Sequence, residues 1–439
     1  MTTDQHSGAD ARASLGRIGR VAGALVGARA VFALVNLAAI AVAARVVGLE
    51  EIGAVGILLA FSRLLGDAAK FDSWKALIRY GAEYRKRSDR AGLARLTGLL
   101  LCLDAAAMGA ALIAAYLLPA LLGAWLGWTE AMRQAAPWFM LAIIFMTHMT
   151  PTGLLRLEGR FFAIGAHHAL TACFRLLGAI WIYFAGGGFA ELAMVWVAAA
   201  VLAGGALWLS AAASAQRQFG RPDFSAPLQQ SRNLPGFWGF AGVTNITSTL
   251  NGAPGPLATL AVGAVLGPSE AGVFHLVRQV AEALQRPAEQ LGQAAFPEFA
   301  NLAASEKRAA MRRVVWRSLL FSMAAAAFGA VLLHVFGAGL LGTLFGEAAV
   351  SGAAALTLAG GASLLQAAAF TLEPALMTTG RHRVILTSQI IAFIAFCGTL
   401  ALMLEPCGLI GVGAALMVFR SIQILWRVLV LRNSFKTDT

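Results

Sequence analysis

Charged residues recur inside stretches that are otherwise almost wholly apolar. Arg29, Arg63, Lys70, Arg175, Arg278, Arg286 and Arg420 are the cations, and Asp67, Asp72, Asp104, Glu282, Glu289 and Glu373 the acids. Their spacing is helical. Arg63, Asp67, Lys70 and Trp74 follow at four, three and four residues, and His275, Arg278, Glu282, Arg286, Glu289 and Gln293 do the same. On a helix each set shares one face. A buried Arg costs at least ~2.5–3.5 kcal/mol at a membrane-helix centre, so such residues must meet a partner or a water-filled cavity. Two uses of the same residues follow. One is a charged wall for a hydrophilic substrate, completed by Arg29 and Asn36 on one helical face and by a polar run from Asn245 to Asn251 ahead of Pro254-Gly255-Pro256. The other is structural, in the intrahelical pairs Arg63–Asp67, Arg278–Glu282 and Glu282–Arg286. Arg175 is expected to neutralise Asp104. Catalytic and metal chemistry find no support. His148, His275 and His334 are isolated, the four cysteines show no CxxC, and there is no Walker-type phosphate loop. No cofactor and no metal are expected.

The elements that carry these charges are membrane helices. Of 439 residues, 59% are hydrophobic and 13% charged, and the mean hydropathy is +0.72. Soluble domains carry about 25% charged residues, so a soluble enzyme, a disordered chain and a nucleic-acid-binding module are excluded, despite the net charge of +12. Twelve runs are long enough to cross a bilayer, at 20–47, 51–72, 96–119, 136–156, 161–185, 189–213, 236–266, 271–296, 314–345, 348–378, 384–404 and 407–430. The connecting loops alternate. One set holds Arg12, Arg17 and Arg20, seven cations from Lys75 to Arg95, and five from Lys307 to Arg317. The other holds Arg45 and Arg133 against Glu50, Glu51, Glu130, Glu191, Glu270, Glu347 and Glu405. The positive-inside rule assigns the first set and both termini to the cytoplasm.

The sequence also repeats. Residues 46–55 read VVGLEEIGAV and 265–274 read VLGPSEAGVF, an offset of 219 that aligns Gly48 with Gly267 and Gly53 with Gly272. The expected fold is all-α and polytopic: two six-helix bundles related by a pseudo-two-fold along the membrane normal. Its units are a cytoplasmic segment 1–19, bundles 20–215 and 236–430, a cytoplasmic linker 216–235 and a tail 431–439. The offset pairs Arg63 with Glu282, Asp67 with Arg286 and Lys70 with Glu289, so equivalent positions carry opposite charge.

With its six-plus-six spans, the phrase ARVVGLEEIGAVGILLAFSRLL and its partner VLGPSEAGVFHLVRQVAEALQRPAEQLGQAAFPEFANL, the chain resembles the multidrug/oligosaccharidyl-lipid/polysaccharide exporter superfamily. Within it the chain looks most like the polysaccharide-biosynthesis branch, which flips lipid-linked oligosaccharide units. The resemblance implies a central cationic cavity, first, second, seventh and eighth helices facing inward, and alternating access by rocking. Arg29, Arg63, Lys70, Arg278 and Arg286 then serve the diphosphate, Asn36, Asn245 and Asn251 the sugars, and Asp67, Glu282 and Glu289 charge balance or coupling. The implied partners are a polyprenyl-diphosphate-linked glycan, the bilayer of a bacterial inner membrane, H+ or Na+ as coupling ion, and glycan-synthesising enzymes, with no nucleic acid. A cation-coupled multidrug or small-solute exporter of the same fold is the alternative. It requires an essential acid, with Asp67, Asp104 and Glu282 as candidates; the first helix, where that branch commonly has one, holds Arg29 and Asn36 instead. A membrane enzyme is disfavoured by the short outer loops.

Overall fold

The computed structural model describes residues 31–146, 148–285, 308–378 and 382–437. Arg29, Arg286 and Glu289 lie outside the described residues. Within them the regular structure is helical throughout. Lipid offers the backbone no hydrogen bonds, and a helix satisfies its own. Among the described residues nine helical stretches are long and apolar enough to cross a membrane, and two of them, Leu49–Lys86 and Glu130–Glu158, each span two helices. Many large apolar side chains, among them Phe162, Phe184, Phe321 and Leu402, point outward, as a lipid-facing surface requires.

The first half contains α1 (31–47), α2 (Leu49–Ala69), α3 (Ser73–Lys86), α4 (Arg90–Leu122), α5 (Glu130–Met146), α6 (Met149–Glu158), α7 (Phe161–Ala185) and α8 (Phe189–Gln218). A short α9 (Pro227–Arg232) leads into α10 (Phe237–Gly252), α11 (Pro254–Val265), α12 (268–285), α13 (Arg308–Phe345), α14 (Ala353–Ala368), α15 (Leu372–Thr378), α16 (His382–Cys407) and α17 (Leu409–Thr437). α4, α5, α7 and α8 pack in one group, and α13, α14, α16 and α17 in another. Three expected spans are broken helices. The fourth divides into α5 and α6, the seventh into α10 and α11 at Ala253, and the tenth into a 3-10 turn (Glu347–Gly352), α14 and α15.

The second span departs from expectation. α2 stops at Ala69, and Asp72 adopts a left-handed backbone (φ 46) before α3 starts. Trp74 therefore leaves the face that carries Arg63 and Asp67, and the Arg156 guanidinium stacks 4.2 Å from its ring. The stretch from Lys75 to Arg95, expected as a plain basic loop, is largely amphipathic α3. Its buried Ala76, Leu77 and Tyr80 pack on Leu93, Leu96 and Leu100 of α4 and on Phe237 of α10. Tyr80 also donates from its hydroxyl to Pro235 O (3.0 Å), tying the start of the second half to the first. At Asp89 the chain turns into α4, and the carboxylate caps that helix by accepting from Gly92 N (2.7 Å).

Glycine decides where the two halves touch. A Cβ on Gly53 would lie 1.8 Å from Pro268 O, and one on Gly272 would lie 2.0 Å from Leu49 O. Pro268 and Leu49 are themselves equivalent at the repeat offset. Each glycine thus meets the partner of the other, the reciprocal pattern that a two-fold generates. Gly48 and Gly267, where α2 and α12 are entered, share the same backbone angle (φ +93), which only glycine adopts readily. One turn further on, Gly56 packs on the ring of His275, its own equivalent. In a bilayer apolar side chains gain little by leaving lipid, so backbone-to-backbone approach of this kind holds helices together.

Candidate functional site

Beyond this crossing α2 and α12 help to line a cavity of ≈ 630 Å³. Ligand pockets span about 300–1,000 Å³. The two halves supply its walls at equivalent positions but with unlike chemistry: Phe32 and Asn251, Asn36 and Gly255, Leu59 and Arg278, Arg63 and Glu282. Of the described lining residues, Arg63, Arg175, Arg278 and Arg420 are cationic and Glu282 is acidic.

Arg278 is the most constrained of these cations. It is 7% exposed, and its Nε and Nη1 carry no hydrogen bond among the described residues. Glu282 Oε1, one turn on, stands 3.6 Å from Nε. Opposite lies the break between α10 and α11. A Cβ on Gly255 would come within 3.4 Å of Arg278 Cδ and Nη1, so the bare backbone of Pro254-Gly255-Pro256 makes room for the guanidinium. Sequence reading places that motif just after the polar run of a substrate wall. In the structure it ends one helix, starts another and borders the cavity.

A polar chain crosses the cavity wall between the halves. Arg175 Nη1 donates to Asn36 Oδ1 (3.2 Å), Asn36 Nδ2 donates to Gln279 Oε1 (3.5 Å), and Gln279 Nε2 lies 3.4 Å from His275 Nε2. On the opposite side Arg420 Nη1 donates to Asn251 Oδ1 (2.8 Å) and Gln423 Oε1 (3.0 Å). Asn36 and Asn251 are thus both lining residues and both held by an arginine.

Other expected site residues lie elsewhere. Asp67 and Lys70 are not among the described lining residues. Lys70 Nζ donates to Asp67 Oδ1 (2.6 Å), and Arg63 Nε is 3.9 Å from the same carboxylate. Asp67 also sits against α10, where its carbonyl accepts from Thr249 Oγ1 (2.7 Å). Asn245 is one turn away within α10, its Oδ1 accepting from Thr249 Oγ1 (3.3 Å). The charge stripe is thereby divided: Arg63 faces the cavity, while Asp67 and Lys70 form an ion pair at the end of α2.

Two expectations about neighbours are corrected. Asp104 is not neutralised by Arg175. Its carboxylate accepts from Ser73 Oγ, from Thr150 N (3.1 Å) and from Thr150 Oγ1 (2.6 Å), which answers its burial without a counter-charge. Nor is His148 isolated. Its Nε2 lies 3.1 Å from His167 Nε2, its Nδ1 lies 2.9 Å from Thr152 Oγ1, and His168 stands beside the pair on α7. All three histidines line the cavity.

No family model matches the chain. It is 27% identical over 273 residues to inner membrane protein YghQ of Escherichia coli (strain K12), covering 62% of this chain and 77% of that protein. Among solved structures it resembles an inward-facing multidrug-resistance MATE transporter of the MOP superfamily, with a TM-score of 0.69 and 14% identity over 92% of this chain and 96% of the other. It likewise resembles the lipid II flippase MurJ in an inward closed conformation, with a TM-score of 0.70 and 12% identity over 93% and 87%. The chain shares their fold.

The lining residues that sequence reading passed over, His167 and Thr171, share a helix face with Arg175. His167, Thr171 and Arg175 follow at intervals of four on α7, so one face of that helix is polar from end to end of the cavity. On α17, Arg420 lines the cavity and donates to Gln423, three residues on and itself buried. The spacing was there to be read in both, but each run lies in a stretch without an acid to draw attention to it.

Proposed function

We propose that the protein is a membrane exporter that flips a polyprenyl-diphosphate-linked oligosaccharide or polysaccharide unit by alternating access. The observation that carries this reading is Arg278: a buried guanidinium with two unbonded nitrogens, in a cavity where arginine outnumbers acid among the described residues. A diphosphate moving through ~30 Å of hydrocarbon needs its hydration replaced. Guanidinium forks at Arg278, Arg63, Arg175 and Arg420 supply donors and charge together. Asn36, Asn251, Gln279 and Gln285 offer amides for sugar hydroxyls. The lipid tail remains in the bilayer. Glu282 competes for Arg278 and limits how tightly an anion is held. Arg29, Arg286 and Glu289 belong to the same proposed set.

The crossing at Gly53 and Gly272 closes one end of the molecule. Loop charge assigns the opposite, arginine-rich end to the cytoplasm, and the name of the E. coli relative agrees with an inner membrane. In this reading the closed end faces the periplasm and the cavity serves the cytoplasmic leaflet. Loading there is followed by rocking of the halves about the glycine crossing, which opens the far side.

Cation-coupled efflux of a drug or small solute is the second reading, favoured by likeness to the MATE transporter. It places the essential acid at Asp67, Asp104 or Glu282. Asp67 is committed to Lys70, Asp104 to Ser73 and Thr150, and Glu282 to Arg278; of the three, Glu282 is the one that lines the cavity. The test is reconstitution in vesicles with a fluorescent polyprenyl-diphosphate oligosaccharide. Arg278→Gln combined with Arg63→Gln is expected to abolish flipping. Undiminished flipping removes the cationic-cavity mechanism, and drug efflux lost in Glu282→Gln selects the alternative.

A further inference from the structure

The histidine pair in the cavity wall carries a second ligand. We infer that His148 and His167 together form a proton site whose occupancy is linked to an anion in the cavity, an inference that rests on the phosphate-bearing substrate proposed above. The geometry is specific. With Nε2 facing Nε2 at 3.1 Å, the contact holds when one proton lies between the rings. A neutral pair meets that condition. So does a pair with one extra proton, because that proton, taken from water, binds the bare Nδ1 and leaves the bridge intact. Thr152 Oγ1, 2.9 Å from His148 Nδ1, serves either state, since a hydroxyl both donates and accepts. A further proton would bring two N–H groups head to head. The couple therefore takes up one proton as a unit.

The surroundings set the linkage. On α7, Arg175 stands two turns beyond His167, and His168 is adjacent. On α4, Asp104 holds the same segment through Thr150, with its carboxylate occupied. On α6 itself Arg156 is turned to Trp74 and Glu158 to Arg217. On α3, which packs on α6, Lys75 is paired with Asp72, Arg79 stacks on Phe240, Glu83 is paired with Arg87 and Arg85 donates to Leu157 O. α8 packs on both α6 and α7; its ionisable Glu191 and Arg217 lie near its two ends, and Ala200 is what it shows the cavity. Across the space are Arg63, Arg278, Arg420 and His275, with Glu282 the acid among them. An empty cavity is thus already cationic and opposes protonation. A bound diphosphate reverses that field. Anion binding must then draw a proton onto the pair, and by reciprocity protonation must tighten the anion. Such a site gives the transporter a proton dependence with no intramembrane carboxylate in the role.

Titration calorimetry of the purified protein tests this, using a diphosphate diester with one methyl on each phosphorus, whose own acidic groups remain ionised. Repeating the titration in buffers of different ionisation heat counts the protons. Between about pH 5 and 8, where imidazole titrates, the wild type is expected to take up close to one proton per anion and to bind on the order of tenfold more tightly at the acid end. His148→Gln/His167→Gln is expected to show no uptake and no pH slope. Glu282→Gln and His168→Gln are expected to keep the uptake. Histidine-selective nitrogen-15 NMR of the wild type gives the same answer without a mutation, as an imidazolium that forms when the diester is added. Anion binding without proton uptake in the wild type, or uptake that survives the double substitution, overturns the inference. If the diester does not bind at any pH, the substrate reading fails, and the linkage with it.

Discussion

The glycine crossing and the cavity lie on the same two helices, two turns apart, and obey opposite rules. At the crossing the equivalent residues of the two halves are alike: Gly48 and Gly267 share a backbone angle, and Gly53 and Gly272 each meet the other's partner. In the cavity the equivalent residues are unlike: Leu59 stands opposite Arg278, and Arg63 opposite Glu282. Backbone approach imposes one residue type on both halves, because a side chain on either breaks the same contact. A bound molecule has no two-fold, so nothing obliges its two walls to match. Sameness under the repeat marks what holds the halves together, and difference marks what they hold.

The largest effect is expected where sameness is broken. Gly53→Val sets a branched side chain where a Cβ alone would lie 1.8 Å from Pro268 O, 2.8 Å from Gly272 N. The obstacle is the backbone of α12 itself, so no rotamer relieves the clash; overpacking costs about 1–3 kcal/mol even where side chains can shift. Spin labels at Glu51 and Glu270, which flank the crossing, are expected to report a longer separation in Gly53→Val than in the wild type, with a melting point several degrees lower. An unchanged distance distribution dismisses the reciprocal packing.

Arg278→Gln comes next and acts on the other region. A charged hydrogen bond contributes about 1.5–3 kcal/mol, so the affinity for the diphosphate diester is expected to fall roughly tenfold to hundredfold. Thermal stability should barely change, because the nitrogens removed from Arg278 include two with no hydrogen bond among the described residues. A loss of stability matching the loss of binding would make Arg278 a packing residue and erase the contrast between the regions.

Much of this division is legible in the sequence, and the limits are physical. An all-helical fold that crosses the membrane many times follows from the length and polarity that lipid demands, and the VVGLEEIGAV repeat points to Gly53 and Gly272 before any contact is seen. The positions of Arg63, Arg278, Glu282, Asn36 and Asn251 follow from charge or amide in an apolar run. Periodicity fails at Lys70, because no glycine or proline announces the end of α2; a helix continued through Lys70 to Trp74 puts Asp67 and Lys70 on the cavity face, where the structure has them paired. It fails again at His148 and His167, which lie on separate helices nineteen residues apart and meet only after α6 folds back on α7. Arg175 finds Asn36 rather than Asp104 for the same reason: partners across a bundle are a property of packing and leave no spacing in one helix.

A smaller effect sharpens the comparison by moving the cation across the two-fold. Leu59→Arg/Arg278→Leu exchanges the two equivalent residues and keeps the net charge of the wall. The diester sits in the field of all the lining guanidinium groups, so binding is expected to recover to within about tenfold of the wild type, well above Arg278→Leu alone. Recovery shows that the cavity needs its charge more than one address for it. No recovery means that Gly255, which opens space beside Arg278 and whose equivalent on the other wall is Asn36, makes the site one-sided.

The smallest effect concerns a contact near the crossing that the repeat does not reproduce in sequence. Arg45 closes α1, and its equivalent in the second half is Ala264. Its Nε donates to Leu344 O (3.2 Å) and its Nη2 to Thr343 O, carbonyls in the last turn of α13. A cation there meets the negative end of a helix and the carbonyls that the helix leaves unbonded. The bond joins the first half to the second, and under the rocking proposed above it must release for this side to open. Being exposed, it is weak: Arg45→Ala is expected to shift the balance between closed and open crossings only about twofold to fivefold, read as a growing long-distance population between the labels at Glu51 and Glu270. Salt should do the same to the wild type and nothing to the variant. A shift as large as that of Gly53→Val would mean that the glycine contact is a consequence of the arginine latch, and that the alike residues of the two halves are not what closes the molecule.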